Sequence, residues 1–184
     1  ILYRLVGSEM CIRDSLDHLE YTTTQNGTEM QVVEGTLDHY STMIDYIMNN
    51  DLNNAAIYNE IQQRMNVDSF IDHIIMTIYC ANTSWGHNRE WWRPREENGK
   101  WQWLIVDLDR GFNINNSNIN LVDNLKDDYE LFQYLLNSSL FVDRFVQRSA
   151  AHLSNTFFAE RMNSIVDSLG SMTILEMPRH IERW

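Results

Sequence analysis

Residues 82–112 read NTSWGHNREWWRPREENGKWQWLIVDLDRGF, and the order of their parts decides how the chain is read. Glu90–Arg93 is short and aromatic, Glu96–Lys100 has the composition of a turn, and Trp101–Val106 is the best strand pattern in the sequence. Two such runs on either side of an Asn98-Gly99 pair predict a β-hairpin. A polar loop, Asn82–Asn88, leads into the first strand. The second strand runs straight into Asp107-Leu108-Asp109.

On the N-terminal side, Asn66-Val67-Asp68 starts a helix, with Asp68 as N-cap or first-turn acid. Phe70, Ile71, Ile74, Ile75, Ile78 and Tyr79 make it apolar nearly all round, so it is expected to be buried and to end near Asn82. Before it, Ile57, Ile61 and Met65 share one face of a helix over about Asn53–Arg64. Thr36 reads as the N-cap of an earlier helix carrying Leu37, Tyr40, Met43, Ile44 and Ile47. Leu16–Val33 is polar and Thr-rich with an Asn26-Gly27 turn signal, and reads as loop or irregular β structure. After Asp109 come an Asn-rich loop, Asn113–Asn118, and helices over about Asp128–Leu136, Phe141–Leu153, Glu160–Leu169 and Ile174–Trp184. The expected fold class is α+β, mainly helical, with one inserted β-hairpin.

Bulk composition narrows the functions. The 184 residues suit one domain or part of a larger one, and 43% hydrophobic residues can fill a core. A formal net charge of −12 repels phosphate backbones, which excludes nucleic acid as a partner. No apolar run reaches the length of a membrane span. Two cysteines are too few for a disulfide framework. The opening ILYRLVGSEMCIRDS has neither a basic n-region nor an apolar h-region. Leu5–Ser15 can be encoded by a string matching a sequencing-library transposase adapter, so residues 1–15 read as a non-native segment. On that reading Cys11 is no functional thiol, and residues 16–184 form a partial domain that lacks its N-terminal lobe.

Protein kinases place a loop supplying a base and an Asn before a hairpin, and a metal-binding Asp just past its second strand. Mg²⁺ needs hard oxygen ligands, here from two chain segments, and a hairpin holds its two ends close together. Asn88 and Asp107 are thus placed to share one ion bridging phosphate oxygens. The plain alternative for Asp107 is a turn or cap residue. Asp109, two residues on and followed by Gly111, strengthens the metal reading, because burying two acids without a cation is costly. His87 reads as a loop residue. Trp85, Trp91, Trp92, Trp101 and Trp103 read as core, and Cys80 as packing. His18, His39, His73, His152 and His180 lack ligand spacing such as H-E-x-x-H. There is no nucleophile elbow or Gly-rich phosphate loop.

The run MNVDSFIDHIIMTIYCANTSWGHNREWWRP (65–94), then GKWQWLIVDLDRGF (99–112) and the ending EMPRHIERW (176–184), resembles the CotH kinase family, the spore-coat group of atypical kinases. The resemblance spans roughly Val33–Trp184. It implies the C-terminal lobe of an atypical kinase fold and an ATP- and Mg²⁺-dependent enzyme that phosphorylates a coat or surface protein. By resemblance Asp107 is the metal-binding Asp with Asp109 beside it, and Asn88 is the catalytic-loop Asn. Nucleotide contacts then fall to Asn88, Asp107 and Asp109, and the metal to Asp107 and Asn88. Ser84 departs from the family pattern N-T-D-W, whose Asp would accept the substrate hydroxyl proton. A serine hydroxyl is too weak a base for that near neutral pH. The phosphate-contacting Lys and the small β-rich lobe of a kinase would precede the helices, outside this chain.

Two other readings compete. A non-catalytic pseudokinase or surface or spore-coat interaction module draws its support from Ser84. A metal-dependent glycosyltransferase with an Asp-x-Asp site would need several βα units, and only one hairpin is expected. A calcium loop at Asp107 fails on pattern, with Gly111 in its fifth position and Asn118 in its twelfth. Compartment is not legible from the sequence, beyond the cell-surface or spore-coat setting that the resemblance suggests.

Overall fold

The structure, a computed structural model, describes residues 15–25, 27–116 and 118–183. The adapter-like segment, Ser15 apart, lies outside the described residues, and so does Cys11. The chain divides into two compact units, residues 1–142 and 143–184.

In the first unit, Leu16–Thr24 (β1) and Gly27–Glu34 (β2) form an antiparallel hairpin with Thr24 opposite Gly27. Of the expected loop or irregular β structure, the β alternative holds, with one irregularity of register between His18 and Leu19. β1 presents Asp17 and Leu19 inward in alternation, but a charged residue at an inward position hides that alternation in the sequence. Asp17 is buried because two guanidiniums meet it. Arg95 Nε donates to Oδ1 at 2.8 Å, and Arg93 Nε lies 3.2 Å from Oδ2. The Thr36 amide also donates to Oδ1, at 2.9 Å. Thr36 is therefore an anchor rather than a helix cap, and the helix after it starts without a side-chain cap. Gly35 sits against this cluster at φ +81°, where a Cβ would collide with the Asp17 carboxylate.

Arg89–Pro94 (β3) pairs with β1, and Gln102–Leu104 (β4) pairs with β3, in the order β2-β1-β3-β4 with every pairing antiparallel. The expected hairpin is thus half of a four-stranded sheet. β4 is shorter than expected: Ile105 and Val106 leave the sheet, and Ile105 is exposed. Trp92 faces away from the core and is half-buried, while Trp85, Trp91, Trp101 and Trp103 are buried.

Three helices follow β2: Asp38–Met48 (α1), Ala55–Arg64 (α2) and Val67–Tyr79 (α3). Asn54 caps α2 by accepting from Ala56 N, and Asn66 caps α3 by accepting from Ser69 N. Asp68 is a first-turn acid. Leu121–Asp128 (α4) and Glu130–Leu135 (α5) replace the single helix expected over Asp128–Leu136. The chain turns extended at Tyr129, which drops into the core, where its hydroxyl accepts from Trp103 Nε1 at 3.0 Å. Phe70 is the hub of that core, with Trp103, Tyr129, Phe132 and Phe141 around it at centroid distances of 4.9–6.4 Å.

β4 has one sheet neighbour, and the α2–α3 corner occupies its other side. Trp101 N donates to Arg64 O at 3.1 Å, and Asn66 N donates to Trp101 O at 2.9 Å. Trp103 N donates to Ser69 Oγ at 2.8 Å, and that hydroxyl lies 3.2 Å from Trp103 O. His73 Nδ1 lies 3.0 Å from Leu104 O. The His73 ring is buried, so it stays neutral and donates there.

Helix Ser139–Ala151 (α6) begins in the first unit. In the second unit, a π turn at His152–Thr156 closes with a 2.9 Å hydrogen bond between His152 Nδ1 and Thr156 Oγ1. Ala159–Thr173 (α7) and Met177–Arg183 (α8) complete the chain. The fold is α+β and mainly helical, as expected.

Burial pushes the His73 pKa down to about 4 from an ordinary 6.5. Between those values the unfolded chain binds the proton and the folded one does not, so stability falls as pH drops from about 6.5 to about 4. The expected loss is on the order of 3 kcal/mol. Chemical denaturation across this range should show it in the native chain, and His73→Asn, which keeps a donor but cannot titrate, should flatten that part of the slope. Equal slopes in the two proteins would remove His73 as its source.

Candidate functional site

The site begins where α3 ends. Asn82 N donates to Thr77 O at 3.1 Å and Ala81 N donates to Ile78 O at 3.0 Å, the paired bonds of a Schellman C-cap. The left-handed residue such a cap requires is Ala81, at φ +50°. A glycine there would mark the helix end in the sequence; without one, the sequence reads as helix to near Asn82, whereas the helix ends at Tyr79. The cap turns the chain sharply into the loop 82–88.

Asn82, almost fully buried, organises that loop. Its Oδ1 accepts from Ser84 N at 3.1 Å and from Ser84 Oγ at 3.0 Å. Its Nδ2 reaches the Asp107 carbonyl at 3.4 Å. Asn88, at the far end of the loop, donates from Nδ2 to Asp107 Oδ2 at 2.7 Å, and the same nitrogen lies 3.3 Å from Ser84 Oγ. Ser84, Asn88 and Asp107, singled out from the sequence, are therefore in one hydrogen-bonded cluster. Asn82 is the member that sequence reasoning missed; its one signal is its place directly after a buried helix.

Asp107 is itself left-handed, at φ +47°, as is Phe112, at φ +54°. Asp tolerates that conformation better than most residues. Phe112 N donates to Cys80 O at 2.6 Å, and the Phe112 ring meets Tyr79 edge-on at 5.7 Å. A Cβ on Gly111 would lie 3.1 Å from Cys80 Cβ, so glycine lets the chain pass close to the end of α3. The segment after β4 is thereby tied back to the helix that launches the loop.

Asp107 and Asp109 are both exposed. Contrary to expectation, the two acids are not buried and need no cation on that ground; what marks the site instead is the 2.7 Å Asn88–Asp107 contact. Among the described residues no hydrogen bond or ion pair joins Asp109 to the cluster. His87 is an exposed loop residue, as expected. Cys80 is buried, and burial pushes its thiol pKa up, consistent with packing.

The profile of the CotH kinase protein family matches residues 2–184. The chain belongs to the CotH kinase family. No curated protein and no solved structure matches it. In this CotH kinase chain, no group of three or more His, Cys, Asp or Glu side chains able to hold a metal occurs among the described residues. The donors present are instead few and hard: an Asp107 carboxylate oxygen, the Asn88 amide oxygen once its amide is turned, and the Ser84 hydroxyl. Such a set fits Mg²⁺, which keeps several waters and takes one or two protein oxygens beside phosphate. The Ser84 hydroxyl is already engaged by Asn82 and Asn88, and nothing in its surroundings makes it a base.

Ala81→Gly should stabilise the protein by about 1 kcal/mol, since it relieves a left-handed alanine at the C-cap. Thermal unfolding measures this; a lower melting temperature for the variant would show that Ala81 carries no such cost.

Proposed function

We propose that this CotH family chain holds the phosphates of Mg²⁺-bound ATP in a kinase-like phosphotransferase, with slow transfer because its proton-accepting position is a serine. The observation that carries the reading is the 2.7 Å contact between Asn88 Nδ2 and Asp107 Oδ2, which brings together two oxygen-bearing side chains from opposite ends of a hairpin. When bound, Mg²⁺ would neutralise charge on the phosphates. Asp107 supplies the anionic ligand, and Asn88 turns its amide to offer oxygen. Asp109, exposed two residues on, adds negative charge next to Asp107 in the chain. Asn82 holds the loop and the Asp107 backbone in register. The acceptor would be a protein hydroxyl, in keeping with the coat- or surface-protein substrates that the family resemblance implies.

Ser84 also favours a second reading, a pseudokinase or coat-interaction module. Its hydroxyl donates to Asn82 Oδ1, so it has a structural role that requires no catalysis. A glycosyltransferase gains nothing from the fold, because the described strands form a wholly antiparallel sheet without βα repeats.

In the full-length protein, Asp107→Asn should abolish Mg²⁺-dependent ATP binding or transfer while leaving the circular dichroism spectrum and melting temperature near those of the unsubstituted protein. Ser84→Asp should raise the transfer rate by roughly 10²–10⁴-fold, the usual contribution of a positioned base. Nucleotide binding that survives Asp107→Asn would remove Asp107 from the site. Full activity in the native chain would defeat the role given to Ser84. ATP binding with no transfer even in Ser84→Asp would favour the pseudokinase.

A further inference from the structure

Asn88 and Arg89 are consecutive, and their side chains go to opposite faces, as neighbours entering a strand must. Asn88 reaches Asp107, whereas Arg89 lies under the sheet. The Arg89 guanidinium carbon is 4.0 Å from the Tyr21 ring centre, 4.4 Å from that of Tyr129 and 5.3 Å from that of Trp85. Its Nη2 donates to Gly86 O at 3.2 Å. Nε is buried with no partner.

Arg89 is 7% exposed, and among the described residues no carboxylate forms an ion pair with it. The contrast is Arg93, four residues along on the same face of β3, which has Asp17. Burying a cation is costly unless an anion meets it, and ring faces offset only part of that cost. In a chain of net charge −12, acids to pair with Arg89 are plentiful, yet it is packed among rings. Its exposed sliver lines an open polar cleft together with Thr28, Thr83, His87, Asn124 and Asp128. Thr28, Thr83 and Asn124 bring neutral donors. A guanidinium is the side chain best shaped for the forked oxygens of phosphate or carboxylate.

We infer that this cleft is an oxyanion-binding site, separate from the Asp107–Asn88 pair, in which Arg89 takes a phosphate or carboxylate group and Thr28, Thr83 and Asn124 complete its hydrogen bonds. Asp128, exposed at the rim, opposes the anion and weakens its binding. The site does not depend on phosphoryl transfer at Asp107, so the two readings fail separately.

The test is calorimetric titration of the protein with inorganic phosphate, and separately with acetate, at about 10 mM ionic strength, where screening is weak. Indole NMR signals report whether Trp85 senses the ligand. Saturable binding of at least one probe is expected, with the Trp85 signal shifting. Arg89→Lys keeps the charge but loses the fork, and should weaken binding roughly tenfold. Asp128→Asn, at an exposed position that the fold does not need, should tighten it. Asp107→Asn should leave it unchanged. Absence of saturable binding by both probes would overturn the proposal. So would binding that Arg89→Lys and Asp128→Asn leave untouched, because the anion would then sit elsewhere.

Discussion

The arrangement depends on the seam between β4 and the α2–α3 corner. An edge strand usually leaves its outer backbone groups free to pair with another chain. Here Arg64, Asn66, Ser69 and His73 meet those groups in turn, from Trp101 to Leu104. Each is a polar contact whose loss would strand a buried donor or acceptor, a cost of about 1–3 kcal/mol. Together they fix the sliding register of strand against helix. The loop 82–88 leaves the end of α3, and Asp107 follows the end of β4. Fixing helix against strand therefore fixes the loop against the aspartate. The Asn82 and Asn88 contacts to Asp107 rest on that register.

Strain gathers at the same place. Among the described residues the left-handed residues other than glycine are Ala81, Asp107 and Phe112. They lie at the helix exit, at the metal-ligand candidate and at the return to Cys80. Such backbone persists only where its surroundings over-determine it, and it clusters at functional sites. The surroundings here are the Schellman bonds before the loop and the Phe112–Cys80 bond after it. The rigid aromatic core around Phe70 holds both ends. A site held this way does not need a ligand to form, which suits ligands drawn from a short hairpin.

Much of this was legible in the sequence, for identifiable reasons. The apolar run from Phe70 to Tyr79 and the turn composition of Glu96–Lys100 point to α3 and the β3–β4 pair, although the turn closes from Gly99 N to Glu96 O rather than on Asn98-Gly99, and the order of these parts points to the meeting of Asn88 with Asp107. For the β1–β2 hairpin the sequence shows only the Asn26-Gly27 turn signal and an ambiguous, loop or irregular β texture, because the inward Asp17 breaks the alternation, and its ion-pair partners Arg93 and Arg95 lie more than seventy residues away. The helix break at Tyr129 was missed because nothing local marks it; the hydroxyl of that tyrosine is wanted by Trp103. Exposure of Asp107 and Asp109 was misjudged because an apolar strand precedes them, and β4 ends before Ile105. Asn82 and Arg89 escaped notice for one reason: their importance lies in what they touch across the fold, and neither belongs to a spacing pattern.

Ser84 gives the site an electrostatic character of its own. One nitrogen, Asn88 Nδ2, bridges Ser84 Oγ and Asp107 Oδ2. A carboxylate at position 84 would stand one amide away from the Asp107 carboxylate, and two like charges that close disfavour each other. A cation between them, or partial protonation, would be needed to hold the loop in place. With serine the cluster carries a single negative charge and closes on its own hydrogen bonds. On the proposed reading, positioning and proton acceptance, which one aspartate would combine, are thereby uncoupled: the Asn82–Ser84–Asn88–Asp107 network keeps the loop geometry without a group at position 84 that would accept a proton. The loop geometry alone is therefore no measure of transfer rate: with serine the network closes unaided, whereas a carboxylate at position 84 would need a cation or a proton to close it.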